Sequence, residues 1–249
     1  MLKRERQSYI LHQVNLHNKV LSADLSMQMR VSDDTIRRDL QELAQSGMLI
    51  KVHGGALSLS FYNGPAASKD IYSYDKKRII AEKAISLIKN GMFVLTSGGT
   101  TILELARALP QHLHATFISC SLPAVMEYTN HPHCEVIMIG DKVSKNSKFS
   151  AGPEAISRIK QLNCDICFLG INAIDAMYGI SDNDWDVVQV KKAMIESSQK
   201  VVCLTISEKI NTQQPIQICG MQRIHTLITE LPPDDEILQP YREAGIEVV

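Results

Sequence analysis

Short apolar runs alternate with amphipathic helical segments from residue 76 to residue 249, and this alternation constrains the fold most. Each run has the length of a buried strand, and each segment between runs places apolar residues at helical spacing. Strands separated by helices in this way pair in parallel, and the helices then cover both faces of the sheet. The pattern therefore predicts an α/β domain over residues 76–249.

Seven strands are expected in this domain, at residues 92–96, 116–119, 135–139, 165–169, 200–205, 225–229 and 246–249. Its helices are expected at residues 77–89, 102–109, 123–128, 153–162, 187–198 and 234–244. The first of these helices would bury Ile79, Ile80, Ala84, Leu87 and Ile88. Residues 58–75 contain an Asn-Gly-Pro sequence and few apolar positions, which is typical of a linker.

Residues 1–57 carry a different charge from the rest of the chain. They hold eight Lys or Arg and six Asp or Glu, a net charge of +2, whereas the remainder has a net charge of −3. The net charge of −1 for the whole chain excludes a histone-like polycation but not a local basic surface. This mild asymmetry favours a separate N-terminal module that contacts an anion.

Helix signals in this module follow the order of a helix-turn-helix. Apolar spacing predicts a first helix at residues 5–14, a second at residues 23–29 with Ser22 as its cap, and a third after the cap Ser32. The third helix would be amphipathic. Its inner face would carry Ile36, Leu40 and Leu43, and its outer face Arg37, Arg38 and Gln41. Arginines near the start of such a helix can reach phosphates or guanine edges in the major groove.

Two short strands are expected after this helix. Residues 48–52 and 56–59 can pair around a His-Gly-Gly turn, which is typical of the wing of a winged helix. Lys51 and His53 would then contact backbone phosphate.

The N-terminal module resembles the DNA-binding signature of the DeoR family of bacterial transcriptional regulators. The resemblance rests on Val31-Ser-Asp-Asp-Thr-Ile-Arg-Arg-Asp-Leu40, Glu42-Leu43, Gly47 and Val52-His-Gly-Gly-Ala56, and it covers nearly all of residues 3–57. Without it, two adjacent arginines would be more typical of a solvated helix surface. Lys51 departs from the family's Arg, which keeps the charge but loses the guanidinium fork. The resemblance implies DNA contacts by Ser32, Thr35, Arg37, Arg38, Lys51, His53 and Gly54.

A loop of glycine and hydroxyl residues, 96–101, separates the first predicted strand of the second domain from the next helix. Its glycines allow close backbone approach, its hydroxyls donate hydrogen bonds, and the following helix presents free amides to an anion. The loop has neither a Walker sequence nor Gly-x-Gly-x-x-Gly spacing. These features favour a phosphate cradle, and the alternative is a tight turn with a capping Thr.

The DeoR-family resemblance extends to this domain. The loop resembles the family's Gly-Thr-Thr effector loop, Lys209 resembles the lysine of its Asp-x-Ser-Lys segment, and further matches are Gly140, Gly152, Phe168-Leu169-Gly170, Asp175, Gly179 and Lys191-Lys192. The resemblance implies a sugar-phosphate isomerase-like domain that senses a phosphorylated sugar. The implied effector-binding residues are Ser97, Gly98, Gly99, Thr100, Thr101, Asp175 and Lys209.

Four positions depart from the family pattern. Cys120 replaces Asn, Asp141 replaces the second glycine of a pair, and Ile206 and Glu208 stand in place of Asp and Ser. These departures predict a changed pocket and leave the identity of the effector open. The acidic residue expected before the helix at 187–198 is either Asp184 or Asp186.

The resemblance implies a cytoplasmic repressor of carbohydrate-metabolism genes that binds double-stranded operator DNA under control of a phosphorylated sugar. Paired half-sites favour a homo-oligomer, either a dimer or a tetramer. The alternative is a phosphosugar isomerase-like enzyme with an accessory N-terminal domain, but its nominal bases Asp175, Asp184 and Asp186 form no assembled motif. We expect no catalytic residue, no cofactor and no metal. Membrane association is not expected, since no apolar run reaches the length of a spanning helix.

The remaining conspicuous residues have ordinary interpretations. Cys164 and Cys167 have C-x-x-C spacing, but they lie in an apolar run and are expected to be reduced structural thiols. The His pairs 112/114 and 131/133 are expected at the surface or in loops. Trp185 either covers a ligand or anchors a packed loop.

Overall fold

The chain divides into two units, and each has hydrophobic packing of its own. The computed structural model describes residues 2–59, 71–145 and 147–249, and the two units are Met1–Tyr72 and Ser73–Val249. Residues 60–70, most of the predicted linker, lie outside the described residues. The end of the predicted linker is helical, because the first helix of the second unit begins at Tyr74.

Helices and a small antiparallel sheet build the first unit. Its elements are α1 (Lys3–His17), β1 (Lys19–Leu21), α2 (Ser22–Met29), α3 (Asp33–Gln45), β2 (Ile50–Val52) and β3 (Gly55–Leu57), and the strand order is β1-β3-β2. Ile10, Leu25, Ile36 and Leu40 are buried in its core. The prediction of a winged helix-turn-helix is confirmed.

The sequence does not predict β1, which changes how α2 begins. This strand pairs with β3 as far as Leu21, and the amide of Ser22 donates to the carbonyl of Gly54 at 2.8 Å. Ser22 is therefore the first residue of α2 and not its cap, so that prediction is wrong. Ser32 does cap α3, since its Oγ accepts from the amide of Thr35 at 3.3 Å.

A seven-stranded parallel sheet forms the centre of the second unit. The strands of this unit are β4 (Phe93–Thr96), β5 (Thr116–Ser119), β6 (Glu135–Met138), β7 (Val143–Ser144), β8 (Phe149–Ser150), β9 (Cys164–Gly170), β10 (Ala173–Asp175), β11 (Gly179–Asp182), β12 (Ser198–Leu204), β13 (Ile216–Cys219), β14 (Thr226–Ile228) and β15 (Glu247–Val248). The parallel sheet has the order β15-β14-β12-β9-β4-β5-β6. Its members are the seven predicted strands, which confirms the α/β prediction.

Helices cover both faces of this sheet. They are α4 (Tyr74–Ile85), α5 (Thr100–Arg107), α6 (Leu122–Tyr128), α7 (Pro153–Ile159), α8 (Trp185–Glu196) and α9 (Gln239–Glu243). On one face Phe117 stacks on Tyr128 of α6, whereas the neighbouring Ile118 joins the core that α7 and α8 complete on the other face.

Two helix predictions need correction. Ile79 is exposed, because the buried stripe of α4 runs through Lys77, Ile80 and Ala84. The helix predicted at residues 234–244 is a 3₁₀ turn, Glu236–Leu238, followed by α9. Pro240 in the first turn of α9 has no amide hydrogen to donate, so it suits a new helix start.

In the second unit, the five short strands outside the parallel sheet are not predicted from the sequence. The strands β7 and β8 form a hairpin, and β10, β11 and β13 form a second antiparallel sheet. They pair antiparallel, and their segments lie outside the alternation of apolar runs and helices from which the parallel strands are predicted. The hairpin brings the Phe149 ring to 3.2 Å from the place where a Cβ on Gly98 would lie.

The cysteines and the helix lengths bear on two further expectations. All six cysteines are free, and burial raises the pKa of Cys164 to about 11, which disfavours its reactive thiolate form. Among the described residues, none of the helices has the length and apolar character needed to cross a membrane.

Candidate DNA interface and effector pocket

The outer face of α3 carries most of the predicted DNA contacts. Arg37 and Arg38 are exposed, and an Nη of Arg38 lies 2.6 Å from the carboxylate of Asp34. At the start of the helix, the hydroxyl oxygens of Ser32 and Thr35 are 2.9 Å apart. The structure therefore groups these four predicted contacts on the N-terminal half of α3.

The wing carries the other predicted contacts. Nζ of Lys51 donates to Oε1 of Gln41 at 2.7 Å, so the wing is hydrogen-bonded to α3. His53 and Gly54 form the exposed turn, where the φ of Gly54 is +75°, a value that favours glycine. At Gly55 a Cβ would lie 2.0 Å from the carbonyl oxygen of Val20, which explains why glycine is needed where β3 meets β1.

A buried ion pair that the sequence does not predict fixes α3 against α1. Asp39 is 2% exposed, and both of its carboxylate oxygens accept hydrogen bonds from the Arg6 guanidinium. This bonding raises the pKa of Arg6. The signal in the sequence is position, because Asp39 lies three residues after Ile36 and four before Leu43 on the apolar stripe.

The glycine and hydroxyl loop lies at the carboxyl end of β4, beside the end of β9. The amide of Ser97 donates to the carbonyl of Phe168 at 3.0 Å, and Oγ of Ser97 accepts from the amide of Gly170 at 2.9 Å. A Cβ on Gly170 would lie 2.8 Å from the carbonyl oxygen of Gly98, so this contact requires glycine. The two segments thus touch through their backbones.

The loop leads directly into α5. Gly99 precedes the helix with a φ of +112°, and Thr100 and Thr101 form its buried start. Among the described residues, no side chain caps this N-terminus, so the alternative of a capping Thr does not describe the loop. The first amides of α5 therefore have no side-chain acceptor within the described structure.

Lys209 reaches the same place from another segment. It ends the 3₁₀ turn Ser207–Lys209, and its Nζ donates to the carbonyl of Ile171 at 3.1 Å and to Oδ1 of Asn172 at 3.3 Å. Burial, and next the charge of Lys77, lower the pKa of Lys209 to about 7. Lys209 and the loop therefore both contact residues 170–172, as a shared pocket requires.

Lys77 of α4 is a second buried lysine, whose charge acts on Lys209 and which the sequence does not predict. It is 5% exposed, and burial lowers its pKa to about 8, partly offset by the charges of Glu104 and Glu208. Glu104 lies on α5 and Glu208 on the turn of Lys209, so the charges of both segments act on Lys77. The overlooked signal is its spacing, three residues before buried Ile80.

A buried acid completes the polar cluster. Nζ of Lys191 donates to Asp182 at 2.7 Å, and Asp182 also accepts from Nδ2 of Asn172 at 2.9 Å. Burial would raise the pKa of Asp182, but the Lys191 ammonium together with the hydrogen bonds from Asn172 and the amide of Asn183 lowers it. Asp184, one of the two predicted acids, caps α8 by accepting from the amide of Val187 at 3.4 Å.

Asp175, the remaining predicted effector residue, ends β10. Its Oδ1 accepts from the amides of Met177 and Tyr178, both at 2.9 Å, and these bonds lower its pKa. Its described hydrogen bonds stabilise the turn between β10 and β11. The structure does not bring it into contact with the glycine loop or Lys209 within the described residues.

The structure shows the surroundings of three positions that depart from the family pattern, Cys120, Asp141 and Ile206. Cys120 and Ile206 are buried. The Asp141 carboxylate accepts from the amides of Glu154 and Ala155 at 2.8 and 3.2 Å, so it caps α7. A carboxylate at this helix start takes the place that an external anion could otherwise occupy.

The other conspicuous side chains form no metal site. Within residues 2–59, 71–145 and 147–249, no three His, Cys, Asp or Glu side chains converge as metal ligands. His114 and His133 stack at 4.7 Å between ring centroids. Trp185 is 64% exposed at the start of α8, so it does not anchor a packed loop.

Comparison with known proteins gives two family matches. Residues 6–61 match the "DeoR-like helix-turn-helix domain", and residues 72–231 match the "DeoR C terminal sensor domain". Together these matches cover both units of the structure.

Several bacterial and archaeal transcriptional regulators match over the whole chain. The HTH-type transcriptional regulator GolR of Listeria innocua serovar 6a is 29% identical over all of this chain and 98% of its own length. The HTH-type transcriptional regulator GlpR of Haloferax volcanii is 30% identical over the same shares. The glycerol-3-phosphate regulon repressor of Escherichia coli K12 is 26% identical over all of this chain and 99% of its own length.

Proposed function

Because the chain belongs to the DeoR family of transcriptional regulators, we propose that it represses carbohydrate-metabolism genes and that a phosphorylated sugar controls its operator binding. The family match confirms the interpretation as a regulator rather than an isomerase-like enzyme. The repressor role is supported by the name of the Escherichia coli relative, which controls a phosphate-ester regulon.

The effector pocket is supported above all by one observation, which is that Lys209 and Ser97 both bind the segment 170–172. The loop from Ser97 to Thr101 then holds the phosphate with its amides and hydroxyls, and Lys209 and Lys77 offset its charge. Asp175 would act through the pocket wall and not through direct contact.

A thermal-shift screen tests this pocket. Sugar phosphates and the same sugars without phosphate are each added to the full-length protein, and a ligand that binds only the folded state raises the melting temperature. We expect stabilisation by at least one phosphorylated compound and none by its unphosphorylated partner. Equal effects of both members of every pair would contradict phosphate recognition.

The DNA interface combines direct readout by α3 with backbone contacts by the wing. Arg37 and Arg38 would enter the major groove, with Ser32 and Thr35 near the phosphates at the helix start. Lys51 and His53 would contact the phosphate backbone. Replacing either with Ala should therefore weaken binding to operator DNA and to random DNA to similar degrees. A variant that changed sequence preference while keeping overall affinity would contradict this assignment.

Assembly and location complete the proposal. A dimer or a tetramer would place paired heads on two half-sites, which multiplies the modest affinity of one head. Light scattering of the purified protein tests this, and a strict monomer that binds operator at full strength would contradict it. The cytoplasm is the proposed location, because the operator DNA lies there.

A further inference from the structure

A cluster of charged side chains lies directly outside the effector pocket. Nζ of Lys76 is 3.2 Å from Oε1 of Glu208 and 3.2 Å from Oε1 of Glu230. Glu230 also accepts from the amide of Ser207 at 2.9 Å and from its hydroxyl. We call Lys76, Glu208 and Glu230 the outer ion cluster, and it joins the first turn of α4 to the 3₁₀ turn at 207–209.

Each pocket lysine is the next residue in the chain after a member of this cluster. Lys77 follows Lys76, and Lys209 follows Glu208. The inner pair consists of two buried ammonium groups that disfavour each other's charge, as the effect of Lys77 on the pKa of Lys209 indicates. The outer pair consists of opposite charges that attract. The attraction outside therefore opposes the repulsion inside.

We infer that Glu208 and Glu230, acting through Lys76, are positioning residues that hold Lys77 and Lys209 close enough to share one anionic group of the effector. This inference rests on the proposed effector pocket. The outer ion cluster is partly a property of this chain, because Glu208 is one of the positions that depart from the family pattern. Its carboxylate takes no part in binding the anion and fixes the turn that carries Lys209.

Positioning and simple electrostatics give opposite results for Glu208→Gln. At about pH 6, below the pKa values of Lys77 and Lys209, both lysines stay largely charged without Glu208, so removing a negative charge beside the anion site should tighten anion binding if charge alone matters. If the carboxylate instead positions the turn, its loss lets the two lysines separate, and the binding of inorganic phosphate should weaken about three- to tenfold. Calorimetric titration of the full-length protein with inorganic phosphate measures this difference.

Glu154→Gln is the matched control, since it removes an exposed carboxylate that pairs with Arg158 at 2.9 Å, outside the outer ion cluster. It should leave phosphate affinity unchanged. Lys76→Met should weaken phosphate binding as Glu208→Gln does, whereas Lys76→Arg should preserve it, because arginine can still bridge the two carboxylates. Because Lys76→Met also removes a positive charge, Glu230→Gln decides the question if Glu208→Gln does not fold, since it too removes a negative charge from the outer ion cluster.

The outcomes separate the two levels of the proposal. Weaker phosphate binding in Glu208→Gln and Lys76→Met, with the control unchanged, supports the positioning role. If wild-type protein binds phosphate and Glu208→Gln binds it equally or more tightly, the positioning role is wrong while the pocket stands. If wild-type protein does not bind phosphate at all, the anion site is wrong and the positioning role fails with it.

Discussion

The two units present their basic side chains in opposite ways. Arg37 and Arg38 of the first unit lie in solvent, whereas Lys77 and Lys209 of the second are buried, with pKa values lowered to about 8 and about 7. DNA is a large polyanion that binds an exposed surface, while a small ligand is enclosed. A solvated arginine needs no partner, but two buried lysines favour the binding of an anion. The difference indicates two separable sites, each open to its own test.

The largest expected effect concerns the buried pair of Arg6 and Asp39, which fixes the helix that carries the exposed arginines. Replacing Asp39 with Ala leaves the Arg6 guanidinium without its buried partner, which should cost about 3 kcal/mol of unfolding free energy in the first unit. Thermal unfolding followed by circular dichroism measures this, and the transition of the second unit should not move. Glu42→Ala is the control, because its exposed pair with Lys3 should contribute far less. Equal effects of both variants would contradict the role of the buried pair.

The next largest effect concerns the buried charge. Lys209→Met removes a charged donor from the pocket, so the affinity for a phosphorylated effector should fall by about 1.5 to 3 kcal/mol. Stability without ligand should hold or rise, since burying a charge is unfavourable. Lys200→Met, which removes an exposed lysine paired with Glu247, should change neither quantity. An unaltered effector affinity in Lys209→Met would remove this lysine from the pocket.

Replacing the exposed arginines should lower operator affinity by a slightly smaller amount. Replacing Arg37 or Arg38 with Ala should weaken operator binding by about 1 to 3 kcal/mol and make its salt dependence shallower if a phosphate contact is lost. Fluorescence anisotropy at matched salt measures both quantities. Arg158→Ala in the second unit is the control. Unchanged affinity in both single variants would refute the assignment of α3 as the reading helix.

The smallest expected effect is a pH dependence of effector affinity, and it should arise only in the second unit. An anion binds the charged form of Lys209, so binding takes up a proton, and affinity falls as the pH rises through the pKa of about 7. A phosphate monoester is already a dianion there, since its second pKa is about 6. Raising the pH from about 7 to about 8 should weaken binding about fivefold, or about 1 kcal/mol. Lys209→Met should lose most of this dependence and keep the smaller part due to Lys77, whose pKa is about 8, and an unchanged slope would contradict the explanation.

Contiguous signals made much of the fold predictable. The strand predicted at residues 116–119 is marked by Phe117 and Ile118, and its predicted bounds equal those of β5. The string around Arg37 is likewise local. By contrast, β1 has only three residues and forms because β3 lies beside it, so its own sequence carries no sufficient signal.

The pocket was only partly predictable, because distant segments assemble it. The loop from Ser97 was found from its own chemistry, and Lys209 through the family resemblance. Lys77 and Asp182 were missed, since their burial depends on α5, β9 and the turn at 207–209, which are far away in the sequence. A charged residue on an apolar stripe is the only local sign, and Asp39 shows the same sign in the first unit.

The separation of the two sites is tested most directly by operator titration of wild-type protein and Thr100→Val, each with and without the phosphorylated sugar found in the screen. Thr100→Val removes a hydroxyl from the start of α5 while keeping its shape, so effector affinity should fall by about 1 to 3 kcal/mol. Without effector, both proteins should bind operator equally, and the variant should need correspondingly more effector to respond. If no phosphorylated sugar binds wild-type protein or changes its operator affinity, the residues Cys120, Asp141, Ile206 and Glu208 have formed a different pocket and the account is wrong.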